Sequence, residues 1–456
     1  MKKAEESKVF DVIIVGGGVT GTALAYVLSA YVKSSADHST GKKIALLEKN
    51  SGAAEVNSHP LNNAQTSHDG GTETNYGLAH ALEVKVGAVA LRCYVEARKD
   101  KGLFKKTHRM VLAVGAGEVK RVKNRFEKFS PYYEDIRLIG PEELATLEPM
   151  VMKGRNPDEP VCAMVSSEGY AVDYKKLSES LLDDAKMVNK NLDVFFNVKV
   201  QSVRREGGVY VLETNDGVFV AEAIVFAAGS YSLLFAQELG YGLNLGLLLV
   251  AGDFFSAPEL VNGKVYRVQV EGRPFAEIHA DPDVLNQRVT RFGPTTKPLP
   301  LMERHHYETF FDFIRLPIVS LRGAWCLLKI IWKNKLFGYV FRNMVYSLPV
   351  VGKFFFLREA RVIIPTIRYA DLKIRKGVGG IRPQIVNLDT GELEMGDKTI
   401  VGENCIFNTT PSPGASVCIR NGKRDAEQIV KFFRGKYYFD YEAFEKDLGI
   451  RKKEEK

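Results

Sequence analysis

The sequence has no long apolar run and few cysteines, and both absences limit what the protein can be. No stretch of about 18 uncharged apolar residues is present, so we expect no transmembrane helix. The N-terminal apolar residues are soon interrupted by three glycines, which argues against a signal peptide. The five cysteines are scattered and form no C-x-x-C pair. We therefore predict reduced thiols in a cytoplasmic protein without a metal site.

The residues that are abundant are typical of a folded protein with a large interior. Of 456 residues, 45% are hydrophobic and 26% are charged, which are ordinary globular values. This length favours two domains. The 63 Lys and Arg residues outnumber the 55 Asp and Glu residues, for a net charge of +8. The excess favours an anionic partner, which leaves acidic metabolites, anionic membrane surfaces and nucleic acid open.

The N-terminal region contains a glycine motif in the setting expected of a dinucleotide site. A predicted strand at Val12–Val15 leads into the motif, and a predicted helix over Thr20–Leu28 follows it. The motif is G-x-G-x-x-G, with its glycines at Gly16, Gly18 and Gly21. Glu48 comes directly after the next predicted strand, Ile44–Leu47, where an acid that binds a ribose is expected. The glycines would let the backbone approach a pyrophosphate at the helix N-terminus.

Two later segments indicate FAD rather than NAD. Ala223–Gly229 is an apolar strand ending in small residues, and it resembles the second FAD fingerprint of glutathione-reductase-like flavoproteins. Near the C-terminus, a turn of small residues precedes a predicted helix over Val417–Phe433. The N-terminus of that helix would stabilise negative charge on a flavin. Cofactor contacts are therefore expected from Gly229, Pro413, Gly414, Ala415 and Ser416.

Four motifs together give the sequence a specific resemblance. They are NNAQTSHDGGTETNY (62–76), TRFGPTT (290–296), KGVGGIRPQI (376–385) and FNTTPSPGAS (407–416). The sequence resembles the malate:quinone oxidoreductase family over nearly its whole length, and the related L-2-hydroxyglutarate dehydrogenases share this plan. The resemblance implies noncovalent FAD, with Thr66 among its contacts, and oxidation of L-malate to oxaloacetate. It also implies electron transfer to membrane quinone and peripheral attachment to the inner, cytoplasmic face of the cell membrane.

The oxidation of a 2-hydroxy acid needs a cation for the carboxylate and a base for the hydroxyl proton. Arg382 lies in a G-x-R-P element that resembles the carboxylate-binding arginine of flavin amine and amino-acid oxidases, and a guanidinium pairs bidentately with a carboxylate. Thr290 and Arg291 are further substrate-binding candidates in a motif of the family. Histidine is the side chain best suited to act as base at neutral pH. We rank His279 first and His68 second.

Because these motifs are spread along the chain, we predict an α/β fold with two discontinuous domains. One is a glutathione-reductase-like FAD-binding Rossmann domain over 1–92, 160–245 and 375–440. The other is an antiparallel-sheet domain for substrate and membrane over 93–159 and 246–374, with a tail over 441–456. The alternatives are another 2-hydroxy-acid dehydrogenase or oxidase of this fold, L-2-hydroxyglutarate dehydrogenase above all, and a nucleic-acid-binding flavoprotein or non-catalytic scaffold. The apolar surroundings of the basic residues argue against nucleic acid.

The segment Phe310–Arg368 combines aromatic and aliphatic residues with ten Lys or Arg residues and few acidic ones. If Pro317–Phe337 is helical, four apolar residues share one face: Leu321, Trp325, Leu328 and Trp332. Three cations would lie on an adjacent face: Arg322, Lys329 and Lys333. Such a helix can lie in a membrane interface, with its cations against anionic headgroups. The alternative is a core helix whose cations reach solvent.

Overall fold

The computed structural model describes residues 7–35, 42–269, 277–286, 288–333, 336–348, 350–394, 398–409 and 414–449. Its strands are β1 (Lys8–Val15), β2 (Val32–Ser34), β3 (Ile44–Leu47), β4 (Phe104–Val114), β5 (Ile136–Ile139), β6 (Val161–Val172), β7 (Leu192–Phe195), β8 (Val200–Glu206), β9 (Val209–Thr214), β10 (Gly217–Phe226), β11 (Leu245–Ala251), β12 (Phe255–Pro258), β13 (Lys264–Arg267), β14 (His279–Pro282), β15 (Val289–Gly293), β16 (Lys297–Pro298), β17 (Lys373–Ile374), β18 (Ile381–Asn387), β19 (Glu392–Glu394), β20 (Thr399–Gly402), β21 (Cys405–Asn408) and β22 (Tyr437–Phe439). Its α-helices are α1 (Val19–Tyr31), α2 (Leu78–Glu96), α3 (Ala116–Phe129), α4 (Pro141–Leu147), α5 (Pro149–Met152), α6 (Tyr174–Val188), α7 (Tyr231–Glu238), α8 (Phe310–Phe313), α9 (Leu321–Lys333), α10 (Phe337–Tyr346), α11 (Val351–Ile363), α12 (Cys418–Phe432) and α13 (Tyr441–Leu448). Short 3-10 turns cover Lys99–Lys101, Tyr307–Thr309 and Pro317–Val319.

Parallel strands form the centre of the first sheet, in the order β7, β3, β1, β10 and β21. β9 and β20 extend it by antiparallel pairing. β1 pairs with β3 on one side and with β10 on the other, so the carboxyl ends of these three strands meet at one edge. A largely parallel sheet that begins with a βαβ unit is typical of dinucleotide-binding domains, and ligands bind at the carboxyl ends of their strands.

Helices α1, α6 and α12 pack together against the first sheet. α1 is buried along nearly its whole length because it contacts both other helices. A Cβ atom at Gly422 would lie 3.1 Å from the carbonyl oxygen of Ala23, so glycine allows α12 to approach α1 closely. The side chain of Asp173 caps α6 by accepting hydrogen bonds from the backbone N–H groups of Lys175 and Lys176, each 3.1 Å long.

A second sheet contains β17, β12, β15, β14, β13, β4, β6 and β5 in that order, with antiparallel pairing except between β13 and β4. α11 covers it, and the ring of Phe356 stacks on Phe255 with centroids 3.9 Å apart. A small antiparallel sheet, β16, β11, β18 and β19, carries Arg382 on β18 opposite Val250 on β11. The α/β fold with a Rossmann-type sheet and a second, mainly antiparallel sheet is confirmed.

The structure differs from two of the predicted domain assignments. The segment 160–245, expected in the first domain, begins with β6, which pairs with β4 and β5 of the second sheet. The tail expected over 441–456 begins with α13, a helix that buries Phe444 and Leu448, whereas residues 450–456 lie outside the described part of the chain. The remaining domain boundaries stay predictions.

One predicted element is shorter in the structure than in the sequence pattern. The helix considered over Pro317–Phe337 is α9 alone. α9 begins after Ser320, whose Oγ accepts a hydrogen bond from the backbone N–H of Gly323 at 3.1 Å. Within the described ranges, no helix has both the length and the apolar character needed to cross a bilayer.

Candidate functional site

A cavity of about 510 Å³ opens at the carboxyl ends of β1, β3 and β10 and extends to β18. Ligand cavities in proteins typically measure about 300–1,000 Å³. The predicted site residues that line it are Gly16, Gly18, Glu48, Thr66, His68, Gly229, Arg382, Gly414, Ala415 and Ser416. Four others do not line it, namely Gly21, His279, Thr290 and Arg291. Pro413 lies outside the described residues.

The three motif glycines serve different purposes. Gly16 has a φ of 110°, and a Cβ atom there would lie 2.5 Å from the carbonyl oxygen of Ala227. A Cβ atom at Gly21 would overlap the carbonyl oxygen of Gly16. At Gly18, by contrast, a Cβ atom would meet only Ser58 Oγ, at an ordinary 3.4 Å. Gly16 and Gly21 therefore allow β1, β10 and α1 to approach one another, whereas Gly18 keeps the cavity wall beside α1 free of a side chain.

Glu48 follows β3 and lines the cavity beside the glycine turn. Its Oε2 accepts a hydrogen bond from the Gly17 backbone N–H at 2.6 Å. Its Oε1 accepts from the Asn50 backbone N–H at 2.8 Å and from the Asn50 amide at 2.7 Å. These contacts fix a carboxylate at the position where dinucleotide-binding folds hold a ribose. Together with the start of α1, they form a site that can hold a dinucleotide.

Thr66 connects three parts of the cavity wall. Its carbonyl oxygen accepts hydrogen bonds from Tyr174 at 2.8 Å and from Ser416 at 3.3 Å. Its hydroxyl oxygen accepts from Lys264 at 2.9 Å and from Tyr266 at 3.2 Å. Ser416 Oγ in turn accepts a hydrogen bond from the His68 backbone N–H at 2.9 Å. The C-terminal turn before α12 and the 66–68 segment therefore form one continuous wall.

His68 lines the cavity with a carboxylate behind it. Nδ1 of His68 lies 2.7 Å from Oε1 of Glu73, whose side chain is 4% exposed. Burial raises the pKa of Glu73, but the hydrogen bond from His68 and the charges of His68 and Arg109 outweigh it and hold the pKa at about 2. Because ionised Glu73 can only accept, Nδ1 donates, and Nε2 is left as the proton-accepting nitrogen of the neutral ring.

His279, the first-ranked candidate for the base, does not line the cavity. It is 2% exposed, and its ring packs beside that of Tyr266 with centroids 4.9 Å apart. Its Nε2 lies 3.0 Å from Oδ2 of Asp281, which is also buried. Tyr266 and Thr66 separate this pair from the cavity. Of the two histidines ranked as candidates for the base, His68 is therefore the one that lines the cavity.

Arg291 and Thr290 also lie behind the cavity wall rather than in it. The guanidinium of Arg291 donates hydrogen bonds to the carbonyl oxygens of Pro60 at 3.3 Å and Asn63 at 2.8 Å. Burial lowers the pKa of Arg291 to about 10. Thr290 Oγ1 accepts from the Leu260 backbone N–H at 2.8 Å. Both residues therefore support neighbouring loops, because Nη1 and Nη2 of Arg291 and Oγ1 of Thr290 form hydrogen bonds within the protein.

Arg382 is one of four Lys and Arg residues that line the cavity, together with Lys49, Lys199 and Arg315. It keeps part of its surface accessible and lines the cavity. Burial lowers its pKa, and the only other groups that act on its charge in the described chain are the phenols of Tyr76 and Tyr339. No described carboxylate forms an ion pair with it. A guanidinium in such a position lacks the counter-ion that buried charges normally have, and a ligand carboxylate can supply one.

Comparisons with known proteins assign this chain to a family. A family model described as FAD dependent oxidoreductase matches residues 11–325. The probable malate:quinone oxidoreductase of Helicobacter acinonychis (strain Sheeba) is 36% identical over 452 residues, which covers 96% of this chain and 98% of that protein. The chain belongs to the malate:quinone oxidoreductase family. The probable family member from Campylobacter jejuni is also 36% identical, over 93% of this chain and 96% of that protein.

Solved structures support the fold of this family member. L-alpha-glycerophosphate oxidase from Mycoplasma pneumoniae, with FAD bound, superimposes with a TM-score of 0.64 at 17% identity and covers 92% of this chain and 95% of its own. Glycine oxidase from Geobacillus kaustophilus gives a TM-score of 0.62 at 16% identity, with coverage of 93% and 95%. The protein is an FAD-dependent oxidoreductase, and the glycine turn, Glu48 and the space beside Gly18 fit this cofactor.

Sequence reasoning missed the polar residues behind the cavity wall. Glu73 and Lys264 are in contact with His68 and Thr66, respectively, and neither was among the site residues inferred from the sequence. For Glu73, the five-residue separation from His68 within the polar segment 62–76 was a usable signal. Lys264 comes from β13, almost 200 residues further along the chain, and a contact over such a separation has no local sequence signal.

Proposed function

We propose that this family member oxidises malate to oxaloacetate in the cavity and passes the electrons to a membrane quinone. The observation that carries the proposal is the presence in one cavity of an arginine without an acidic partner and a histidine with a carboxylate behind it. The arginine can bind a carboxylate, and the histidine can remove the proton of an adjacent hydroxyl group. A 2-hydroxy acid contains both groups. Because the chain belongs to the malate:quinone oxidoreductase family, malate is the 2-hydroxy acid that we propose.

The protein's own residues would divide the first half-reaction between them. Gly16, Gly18 and the start of α1 would hold the pyrophosphate of FAD, Glu48 would hold a ribose, and Gly229 and Gly414–Ser416 would complete the cofactor's surroundings. The chemistry that this cofactor would supply there is acceptance of a hydride. Arg382 orients malate through a carboxylate. Nε2 of His68 removes the hydroxyl proton as the C–H bond breaks.

Anaerobic mixing of the FAD-loaded protein with single acids tests the substrate. Malate should bleach the flavin absorbance fastest, and 2-hydroxyglutarate more slowly. Faster bleaching by 2-hydroxyglutarate would favour the related dehydrogenase activity instead. His68→Ala should slow bleaching by malate by about 10²–10⁴-fold, the usual contribution of a general base. An unchanged rate in this variant would remove His68 from the mechanism.

We further propose that residues 307–355 form an apolar face that docks on the anionic inner surface of the cell membrane. Seventeen of the 28 large hydrophobic side chains exposed in the described chain belong to this segment. On α9, Leu321 is 93% exposed and Trp332 is 88% exposed. α10 exposes Phe337, and α11 exposes Phe354. Such a concentration of exposed large apolar side chains in one segment favours an interaction site, and docking there would bring the enzyme to the bilayer that contains quinone.

The cations expected to meet headgroups are not those inferred from the sequence. Arg322 and Lys333 form ion pairs of 2.6 Å with Asp389 and Glu392, and Lys329 donates to the Thr390 carbonyl oxygen at 2.9 Å. These cations of α9 contact the β18–β19 turn.

On α11, by contrast, Arg358 is exposed beside the rings of Phe354 and Phe355, and no described carboxylate pairs with it. Lys353 lies on the same helix, 3.9 Å from the ring centroid of Tyr369. These two cations next to exposed aromatic rings suit an anionic lipid surface, where each adds about 1 kcal/mol.

Flotation with anionic liposomes tests the apolar face. Trp325→Ser with Trp332→Ser should abolish flotation, and Lys353→Gln with Arg358→Gln should weaken it and increase its salt sensitivity. A matched control is Met187→Ser with Val188→Ser, because these residues of α6 are 63% and 60% exposed but lie outside the face. FAD content and malate oxidation with a soluble dye should stay normal in all three. Equal flotation of all variants, or retention on RNA in place of liposomes, would refute membrane docking by this face.

A further inference from the structure

The described chain contains two histidine–glutamate pairs with the same separation but different surroundings. His68 Nδ1 lies 2.7 Å from Glu73 Oε1, and His68 lines the cavity. His108 Nε2 lies 2.7 Å from Glu148 Oε1, and neither residue lines the cavity. Both carboxylates are buried. The second pair therefore offers a comparison for what the first pair does at the cavity.

The loop that carries Glu73 is held rigidly. Arg125 on α3 donates hydrogen bonds to the carbonyl oxygens of Gly70 at 2.9 Å, Glu73 at 2.8 Å and Tyr76 at 2.9 Å. Tyr133 donates to the Asp69 carbonyl oxygen at 2.8 Å on the same loop. Because the backbone on both sides of Glu73 is fixed in this way, the carboxylate keeps its place behind His68 without help from a ligand.

Charged groups of both signs surround the pair. They are Asp69 on the same loop, Arg109 on β4 and Arg125 on α3, with the phenols of Tyr133 and Tyr266 nearby. Arg109 forms an ion pair with Asp69 and also acts on the charge of Glu73. Burial opposes ionisation of Glu73, but His68 and Arg109 hold its pKa at about 2. Glu73 is thus a carboxylate throughout the range in which a histidine titrates.

We propose that Glu73 is a positioning residue that makes His68 an effective base. Its carboxylate accepts the Nδ1 proton, which fixes the tautomer with a free Nε2, and its charge stabilises the imidazolium formed when Nε2 takes a proton. This inference rests on the proposed function, since it assumes that His68 is the base. Glu73 itself transfers no proton and touches no substrate.

The step balances within the proposed reaction. The O–H proton of malate moves to Nε2 of His68, the C–H hydrogen leaves with its electron pair as a hydride to bound FAD, and the carbonyl of oxaloacetate forms. His68 becomes positively charged while Glu73 stays negative, so the pair changes from a net charge of −1 to zero. The negative charge of Glu73 favours the protonated form of the imidazole in contact with it.

The experiment measures the rate of flavin reduction by malate against pH in single turnovers of the FAD-loaded protein. In the parent protein the rate should rise with pH to a plateau, as expected for a reaction that needs a deprotonated base. In Glu73→Gln the midpoint should move about 1–3 units to lower pH, and the plateau should fall at least about 10-fold but less than the about 10²–10⁴-fold expected for loss of the base. Glu73→Asp keeps the charge and should keep the midpoint close to that of the parent.

Glu148→Gln is the matched control because it makes the same change in the pair outside the cavity, and it should leave the midpoint unchanged. An unshifted midpoint in Glu73→Gln, with His68→Ala still strongly impaired, would overturn the role of Glu73 while leaving His68 as base. A normal rate in His68→Ala would instead overturn the proposed function of the histidine. FAD content and melting temperature, measured for each variant, identify a folding defect. If Glu73→Gln does not retain FAD, Glu73→Asp decides: a midpoint that moves although the charge is kept contradicts the proposal.

Discussion

Replacing Arg382 with methionine removes the cation on which substrate binding depends in this account. A charge pair that is shielded from water contributes about 2–5 kcal/mol when one partner is truncated. Each 1.4 kcal/mol corresponds to a tenfold change in affinity, so the KM for malate should rise between about 30-fold and about 4,000-fold. Arg382→Lys should give a smaller rise, because the charge is kept while the two-pronged contact is lost.

The same substitution should not lower the thermal stability of the protein. Since no described carboxylate pairs with Arg382, methionine removes a desolvated charge without leaving a partner unsatisfied. The melting temperature without malate should therefore be unchanged or higher. Arg109→Met is the contrasting variant, because Arg109 is fully buried and pairs with Asp69. Leaving Asp69 unpaired should cost about 3–5 kcal/mol of unfolding free energy.

Steady-state kinetics with a soluble acceptor and thermal unfolding of the same FAD-loaded preparations measure both effects. A KM for malate within threefold of the parent value in Arg382→Met would refute the assigned carboxylate contact. A marked loss of stability in that variant would show that Arg382 has a structural partner, and the reasoning from its missing counter-ion would fail.

Three further outcomes are expected. Gly18→Val should fold normally but lose FAD, because the valine side chain enters open space beside α1. Gly21→Ala should instead disturb folding, because its Cβ atom overlaps the Gly16 carbonyl oxygen. The FAD content and the melting temperature of each variant distinguish the two effects. Glu73 has a pKa of about 2 in the folded chain, below its ordinary 4.5. Its ionised form therefore adds stability that is lost as the pH falls from about 4.5 to about 2. Urea unfolding across this window should show a smaller loss of unfolding free energy in Glu73→Gln than in the parent protein. His279→Asn should slow flavin reduction far less than His68→Ala, and an equal loss would restore the order inferred from the sequence.

The parts of the fold that depend on local patterns could be predicted. The strand, glycine turn and helix at Val12–Leu28 are confirmed within β1 and α1, because apolar periodicity and a glycine turn are local signals. Cofactor-side residues such as Glu48 could be located for the same reason, since each follows a strand or precedes a helix. Exposure of Trp325 and Trp332 on α9 was one of two alternatives left by helical spacing, because spacing alone does not say which face is buried.

The substrate side could be predicted less well, because its walls come from residues far apart in the chain. Arg291 lies in a motif of the family, yet in the structure it donates hydrogen bonds to the backbone of Pro60 and Asn63. His279 packs on Tyr266, which in turn donates a hydrogen bond to Thr66 of the cavity wall. A motif indicates that a residue type matters, but it does not say whether the side chain contacts the ligand or supports a residue that does. That distinction depends on strand pairing in the second sheet, which the sequence pattern left undetermined.

The most direct test of the proposed function is a sequential anaerobic mixing experiment with the FAD-loaded protein. The first mix adds one equivalent of malate, and the second adds liposomes that contain quinone. We expect the flavin absorbance to bleach completely with release of oxaloacetate, and then to recover as quinol forms in equal amount. Failure of malate to bleach the flavin, or recovery that needs oxygen and forms no quinol, would contradict the assignment of malate and quinone as the two substrates.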